Sequence, residues 1–141
     1  MTNRVALVSC VKSKRNSETP ARDMYTSSLF TKMRRYAEQH AEAWFILSAE
    51  HGVLAPDELV APYEKTLNKM IKAERLVWAE RVQQQIIQVL LPGTKVIFLA
   101  GKRYREDIVP FLTSKGFSVE VPMQGLAIGS QLSWLNRYTH K

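Results

Sequence analysis

A single cysteine, Cys10, leaves no partner for an internal disulfide and no basis for a cysteine-built metal site, a usage that suits a reducing compartment. The three histidines, His40, His51 and His140, share no metal-ligand spacing, so no metal site is expected. No run of about 18 apolar residues occurs, which excludes a transmembrane helix. The opening MTNRVALVSCVKSK has a short apolar run without a small-residue cleavage site, and its β-branched pattern suits a first strand better than a signal peptide. A cytoplasmic protein is expected. No G-x-x-x-x-G-K-[ST] spacing is present, so there is no nucleoside-triphosphate loop and no cofactor is expected. Acidic residues are scarce as well: 13 Asp and Glu stand against 20 Lys and Arg, a net charge of +7. That excess favours an anionic partner, and nucleic acid before membrane, because no long Lys-rich amphipathic face accompanies it.

What is present is an alternation of strands and helices in 141 residues, 45% of them apolar, enough for one domain with a continuous core. Arg4 to Ser9 reads as a first strand, and Ser27 or Ser28 caps a helix to about His40 with Leu29, Met33, Tyr36 and Ala37 on one face. Trp44 to Ser48 is a second strand. A helix from about Leu67 to Leu90 is stopped by Pro92-Gly93. Lys95 to Ala100 is a third strand, Tyr104 to Lys115 a helix ended by Gly116, Phe117 to Val121 a fourth strand, and Ser130 to Tyr138 a last helix. The alternation implies right-handed crossovers. The fold expected is a three-layer α/β/α sandwich on a four-stranded, mainly parallel sheet of order 2-1-3-4.

In such a sheet the loops leaving the carboxyl ends of the strands meet in one crevice. Four segments should gather there: Ser9 to Lys14, Ser48 to Gly52, Ala100 to Arg105 and Pro122 to Ser130. Ser9, Lys12, Ser13 and Lys14 form a basic, hydroxyl-bearing turn suited to phosphate or, failing that, a solvated charge run. Cys10 is a nucleophile only if Lys12 or a helix terminus lowers its pKa; a small packed residue is the preferred reading. Gly101, Lys102, Arg103 and Arg105 surround Tyr104 at the start of a helix, a combination suited to phosphate. The glycine-bearing turn from Gln124 and Gly125 to Gly129 and Ser130 lets backbone approach a ligand, with Gln124 or Gln131 reading a base edge; close helix-sheet packing explains the glycines equally well. The crevice is expected to be lined by Ser9, Lys12, His51, Gly101, Arg103, Gln124 and Gly125.

The longest connection, after Trp44 to Ser48, carries Pro56 and Pro62, which forbid a regular helix from Ala55 to Tyr63. Its apolar residues Val53, Leu54, Leu59, Val60 and Tyr63 argue for an ordered, packed loop, and a loop of this length is expected to be functional. Glu50 and His51 are acid-base candidates, with Glu64 as a third carboxylate, although adjacent residues on an extended chain point to opposite sides. Asp57 and Glu58 suit capping or pairing with nearby lysines. Tyr63, stiffened by Pro62, is either a stacking platform for a base or a core residue.

The run Leu47 to Tyr63, L-S-x-x-H-G-V-L-x-P-x-E-L-V-x-P-Y, resembles the corresponding segment of the YaaA peroxide-stress protein family, which usually has Tyr where this chain has His51. Leu7 to Ser13 is similar to that family's L-I-S-x-x-K-[ST] opening. The resemblance covers about residues 5 to 68; as a whole the chain also looks like small YaaA-like proteins of bacteria and phages. It implies a cytosolic DNA-binding protein acting in stress, with no enzyme activity to transfer. Two functions are therefore carried forward. One is a DNA-binding stress or defence protein without turnover. The other is an enzyme acting on a nucleobase or nucleoside, such as a DNA N-glycosylase, by analogy with the small α/β/α architecture of uracil-DNA glycosylase.

Overall fold

The computed structural model describes residues 3–9 and 15–139. In chain order the elements are β1 (Arg4–Ser9), β2 (Thr19–Pro20), α1 (Ala21–Met24), α2 (Ser28–His40), β3 (Ala43–Ser48), β4 (Gly52–Leu54) and β5 (Leu59–Val60). A 3-10 turn (Leu67–Lys69) precedes α3 (Lys72–Val89), β6 (Lys95–Leu99), α4 (Lys102–Arg105), α5 (Val109–Ser114), β7 (Ser118–Glu120) and α6 (Ile128–Tyr138).

A five-stranded sheet runs β4-β3-β1-β6-β7, with β3, β1, β6 and β7 parallel and β4 antiparallel at the edge. β1 is central because its side chains are apolar on both faces: Val5 to Val8 are buried, and Leu7 lies in register between Phe45 and Phe98. The period of two splits the core. Ala6, Val8, Ile46, Ile97 and Leu99 pack with Phe30, Met33 and Tyr36 of α2 and Leu135 of α6. Val5, Leu7, Leu47, Val96 and Phe98 pack with Trp78, Val82 and Ile86 of α3 and with Tyr104, Ile108 and Leu112 of the α4–α5 segment. Helices thus cover both faces of the sheet.

The cap of α2 is the expected one: Ser27 Oγ accepts a hydrogen bond from Phe30 N at 3.1 Å. α6 is anchored by Leu135, fully buried, and by Trp134, whose ring lies 5.0 Å from that of Tyr36. Burial, and after it the charge of Glu120, raises the Tyr36 hydroxyl above its ordinary pKa of 10.0.

Four sequence expectations are corrected. The sheet has five strands rather than four, because the chain folds back after β3: Ile46 pairs with Leu54 and Ser48 with Gly52. Gly52 adopts φ 75°, a left-handed conformation that closes this reversal, so Ser48 to Gly52 is a hairpin and not the mouth of an open loop. The rest of the long connection is stitched to the segment after β1, through β5 paired with β2 and through Ala21 N donating to Glu58 O and Arg22 N to Pro56 O, both at 2.8 Å. α3 begins at Lys72, not Leu67; the apolar pattern of Leu67 and Met70 belongs to the 3-10 turn, and Glu74 Oε1 accepts Ile71 N at 3.1 Å where the α-helix starts. Finally, Tyr104 to Lys115 is two helices. A continuous helix would need an N–H from Pro110 and would drive its ring into the Glu106 carbonyl; instead Pro110 sits in the first turn of α5. Among the described residues no helix is long and apolar enough to cross a membrane.

Candidate functional site

Because β1, β3, β6 and β7 are parallel, their carboxyl ends lie at one edge of the sheet. Two unlike structures stand on that edge. Beyond β1, β6 and β7 opens a crevice of about 710 Å³, with Ser9, Phe98 and Val121 at its base. α4 forms one lip, bringing Gly101, Lys102, Arg103 and Arg105. The turn after β7 and the start of α6 form the other, bringing Gln124, Gly125, Leu126, Ala127 and Gln131. Leu29, Met33 and Met123 complete an apolar floor.

The electrostatics of the crevice are one-sided. Among the described residues no Asp or Glu lines it. Arg103 is partly compensated by Glu106, 3.5 Å away, but among the described residues Lys102 and Arg105 have no ion pair and the buried Arg105 Nε has no hydrogen-bond partner. Lys102 and Arg105 stand three residues apart, one turn of α4, and so share a face. α4 is a single turn, too short to supply a helix-terminus field, so the cations carry the attraction for an anion. Tyr104, inside the basic cluster, is buried edge-on against Trp78 at 5.7 Å, and its hydroxyl accepts Leu67 N at 3.5 Å. It is a strut between α4 and the 3-10 turn.

Beyond β3 the polar groups are instead consumed internally. Ser48 is fully buried; its Oγ donates to Tyr63 OH at 2.8 Å and accepts from His51 N at 3.1 Å and Glu50 N at 3.2 Å. The Tyr63 hydroxyl is hydrogen-bonded to that of Tyr25, and the His51 ring lies edge-on to Tyr63 at 5.4 Å. One row of α3 holds the hairpin from the other side. Trp78 Nε1 donates to Ser48 O at 2.9 Å, Arg81 Nη2 to Glu50 O at 2.7 Å and Gln85 Nε2 to His51 O at 3.4 Å, while Gln85 Oε1 accepts Val53 N at 2.9 Å. A Cβ on Gly52 would lie 2.1 Å from Gln85 Oε1. Gly52 is needed for its φ and for this contact.

The crevice therefore gathers Ser9, Gly101, Lys102, Arg103, Arg105, Gln124 and Gly125 from the sequence candidates. It does not gather His51, Glu50, Glu64 or Tyr63: the first three are exposed outside it, and Tyr63 belongs to the hairpin network. Gly129 and Ser130 lie within the first turn of α6, which starts at Ile128 rather than Ser130, and they are exposed without lining the crevice. Cys10, Lys12, Ser13 and Lys14 lie outside the described residues. Sequence reasoning missed Ser48, Tyr25, Trp78, Arg81 and Gln85 as the groups that fix the hairpin. The signal was there in Trp78, Arg81 and Gln85, hydrogen-bonding side chains at helical spacing on a face that is otherwise apolar. It also missed the crevice floor of Leu29, Met33 and Met123. Among the described residues no group of three or more His, Cys, Asp or Glu could hold a metal ion.

Residues 5–137 match the model of DUF6884, a family of unknown function. The chain is also similar to the uncharacterized protein YfjM of Bacillus subtilis (strain 168), 28% identical over 143 aligned positions that cover 95% of this chain and 93% of that one. A match of that reach takes in both the hairpin and the crevice.

Proposed function

The chain belongs to the DUF6884 family of unknown function, and we propose that it binds nucleic acid, DNA in the first place, through the crevice beyond β1, β6 and β7. One observation carries the reading: Lys102, Arg103 and Arg105 stand on the lip of a crevice that no described carboxylate lines. Phosphates are the anions such a lip meets most readily on a polymer, and they position the strand while neutral groups on the opposite lip, Gln124 among them, meet a base or sugar. The net charge of +7 adds long-range attraction to the same partner. The resemblance of Leu7 to Ser13 and Leu47 to Tyr63 to the YaaA family supports a role in stress or defence, in the cytoplasm, as a binding protein without turnover.

Anisotropy titration of a labelled oligonucleotide across a salt series tests the reading. Each phosphate contact contributes a slope of about −0.9 on duplex, or −0.7 on single strand, in log affinity against log salt. The double variant Lys102→Ala/Arg105→Ala flattens the slope by about one to two units. An unchanged slope means that the lip is a solvated face and that nucleic acid is not held there.

A further inference from the structure

We infer that the crevice receives one unpaired nucleotide of a strand and not the outer surface of a duplex, an inference that rests on the nucleic-acid reading above. Size is the first ground. A volume of about 710 Å³ falls within the range of pockets that enclose a small molecule, about 300 to 1,000 Å³. A duplex whose major groove alone is about 12 Å wide cannot be enclosed by it. The second ground is the order of surfaces inside. Among the described residues the lining cations stand on the α4 lip only, and next to them lies an apolar floor of Leu29, Met33 and Met123. A nucleotide has this same sequence of parts, an anion joined to a flat body with two apolar faces, and thioether side chains adapt to such a body. A protein that tracked duplex phosphates would instead need its cations spread along a ridge.

The polar groups fit the same ligand. Lys102 and Arg105 share one face of α4 and have no carboxylate to neutralise them among the described residues. Arg105 Nε, buried without an acceptor among the described residues, gains one when a phosphate draws the guanidinium toward the crevice. Across the floor, Gln131 Nε2 is already bound to Leu126 O at 2.9 Å, which fixes the amide and leaves its Oε1 able to accept from a base edge. Delivering a nucleotide here from a duplex requires unpairing and unstacking it, so single strands, ends and mismatches are favoured over intact duplex.

Competition against a labelled short single strand tests the inference with four probes: the unlabelled strand, the same sequence as duplex, a deoxynucleoside monophosphate and the corresponding nucleoside. The single strand is expected to compete at about tenfold lower concentration than the duplex, and the monophosphate at about tenfold lower concentration than the nucleoside. Gly101→Leu fills the crevice without backbone strain, since φ is −68° and a Cβ there meets no heavy atom within 4 Å. It should weaken strand binding about tenfold with an unchanged unfolding temperature. If that variant is unstable, Ala127→Leu on the opposite lip replaces it. Equal competition by duplex and single strand, with the filling variant silent while Lys102→Ala/Arg105→Ala still flattens the salt slope, overturns the pocket and leaves the nucleic-acid reading standing. Binding of the monophosphate without binding of any strand overturns both.

Discussion

At the carboxyl edge of the sheet, the hairpin after β3 spends its hydrogen-bonding groups on the protein itself, whereas the loops after β6 and β7 leave theirs turned to a cavity. The three carbonyls of Ser48, Glu50 and His51 are each taken by a side chain of α3, and Ser48 Oγ serves three partners. Across the edge, Lys102 and Arg105 have no ion pair among the described residues and line about 710 Å³ of open space. Both loops leave parallel strands and both are rich in polar residues. Polarity alone does not separate a structural turn from a binding turn; what separates them is whether the polar groups already have partners. A buried, satisfied network rigidifies, and an unsatisfied one is available to a ligand.

The contrast breaks most visibly at glycine. Gly52→Ala is expected to cost about 2–4 kcal/mol in denaturant unfolding, since it forces a side-chain-bearing residue to positive φ and displaces Gln85 from Val53 N. The same change at Gly101, with negative φ and open space, should stay within about 0.5 kcal/mol. Equal effects at the two positions would remove the distinction between the loops. Ser48→Ala comes next. It removes one donor and one shared acceptor from a buried site and should destabilise by about 2 kcal/mol.

Much of this edge was legible in the sequence. β1, β3 and β6 are built on runs of apolar, β-forming residues, and the Ser27 cap with Leu29, Met33 and Tyr36 behind it fixes α2. The cluster at Gly101 to Arg105 and the turn at Gln124-Gly125 stand out by charge and by glycine. β4 was not legible, because Gly52–Leu54 is three residues long and its pairing is decided by Gln85 and Arg81, some thirty positions away. For the same reason Glu50 and His51 looked like chemistry: nothing local says that their backbone is clamped by α3. The break before α5 was written in Pro110, whose effect on the preceding turn outweighs the apolar pattern that crosses it.

Smaller effects sharpen the comparison from the crevice side. Lys102→Ala/Arg105→Ala should change unfolding free energy by no more than about 0.5 kcal/mol while weakening nucleic-acid binding, because neither side chain has an ion pair among the described residues. A matching loss of stability would mean that the cations hold α4 in place. The smallest effect is expected from Glu50→Gln, His51→Asn and Glu64→Gln, exposed residues outside the crevice. Each should leave strand affinity within about twofold of wild type, a change of about 0.4 kcal/mol. A large loss, or release of a base by wild type that these variants abolish, would move the chemistry back to the hairpin.

Backbone amide shift mapping by NMR during titration with a short single-stranded oligonucleotide reads both loops in one experiment. The expected result is saturable shifts at Gly101 to Arg105 and at Gln124 to Gln131, with Ser48 to Leu54 unmoved. Shifts confined to Glu50 through Tyr63, with the α4 and α6 lips silent, would contradict it.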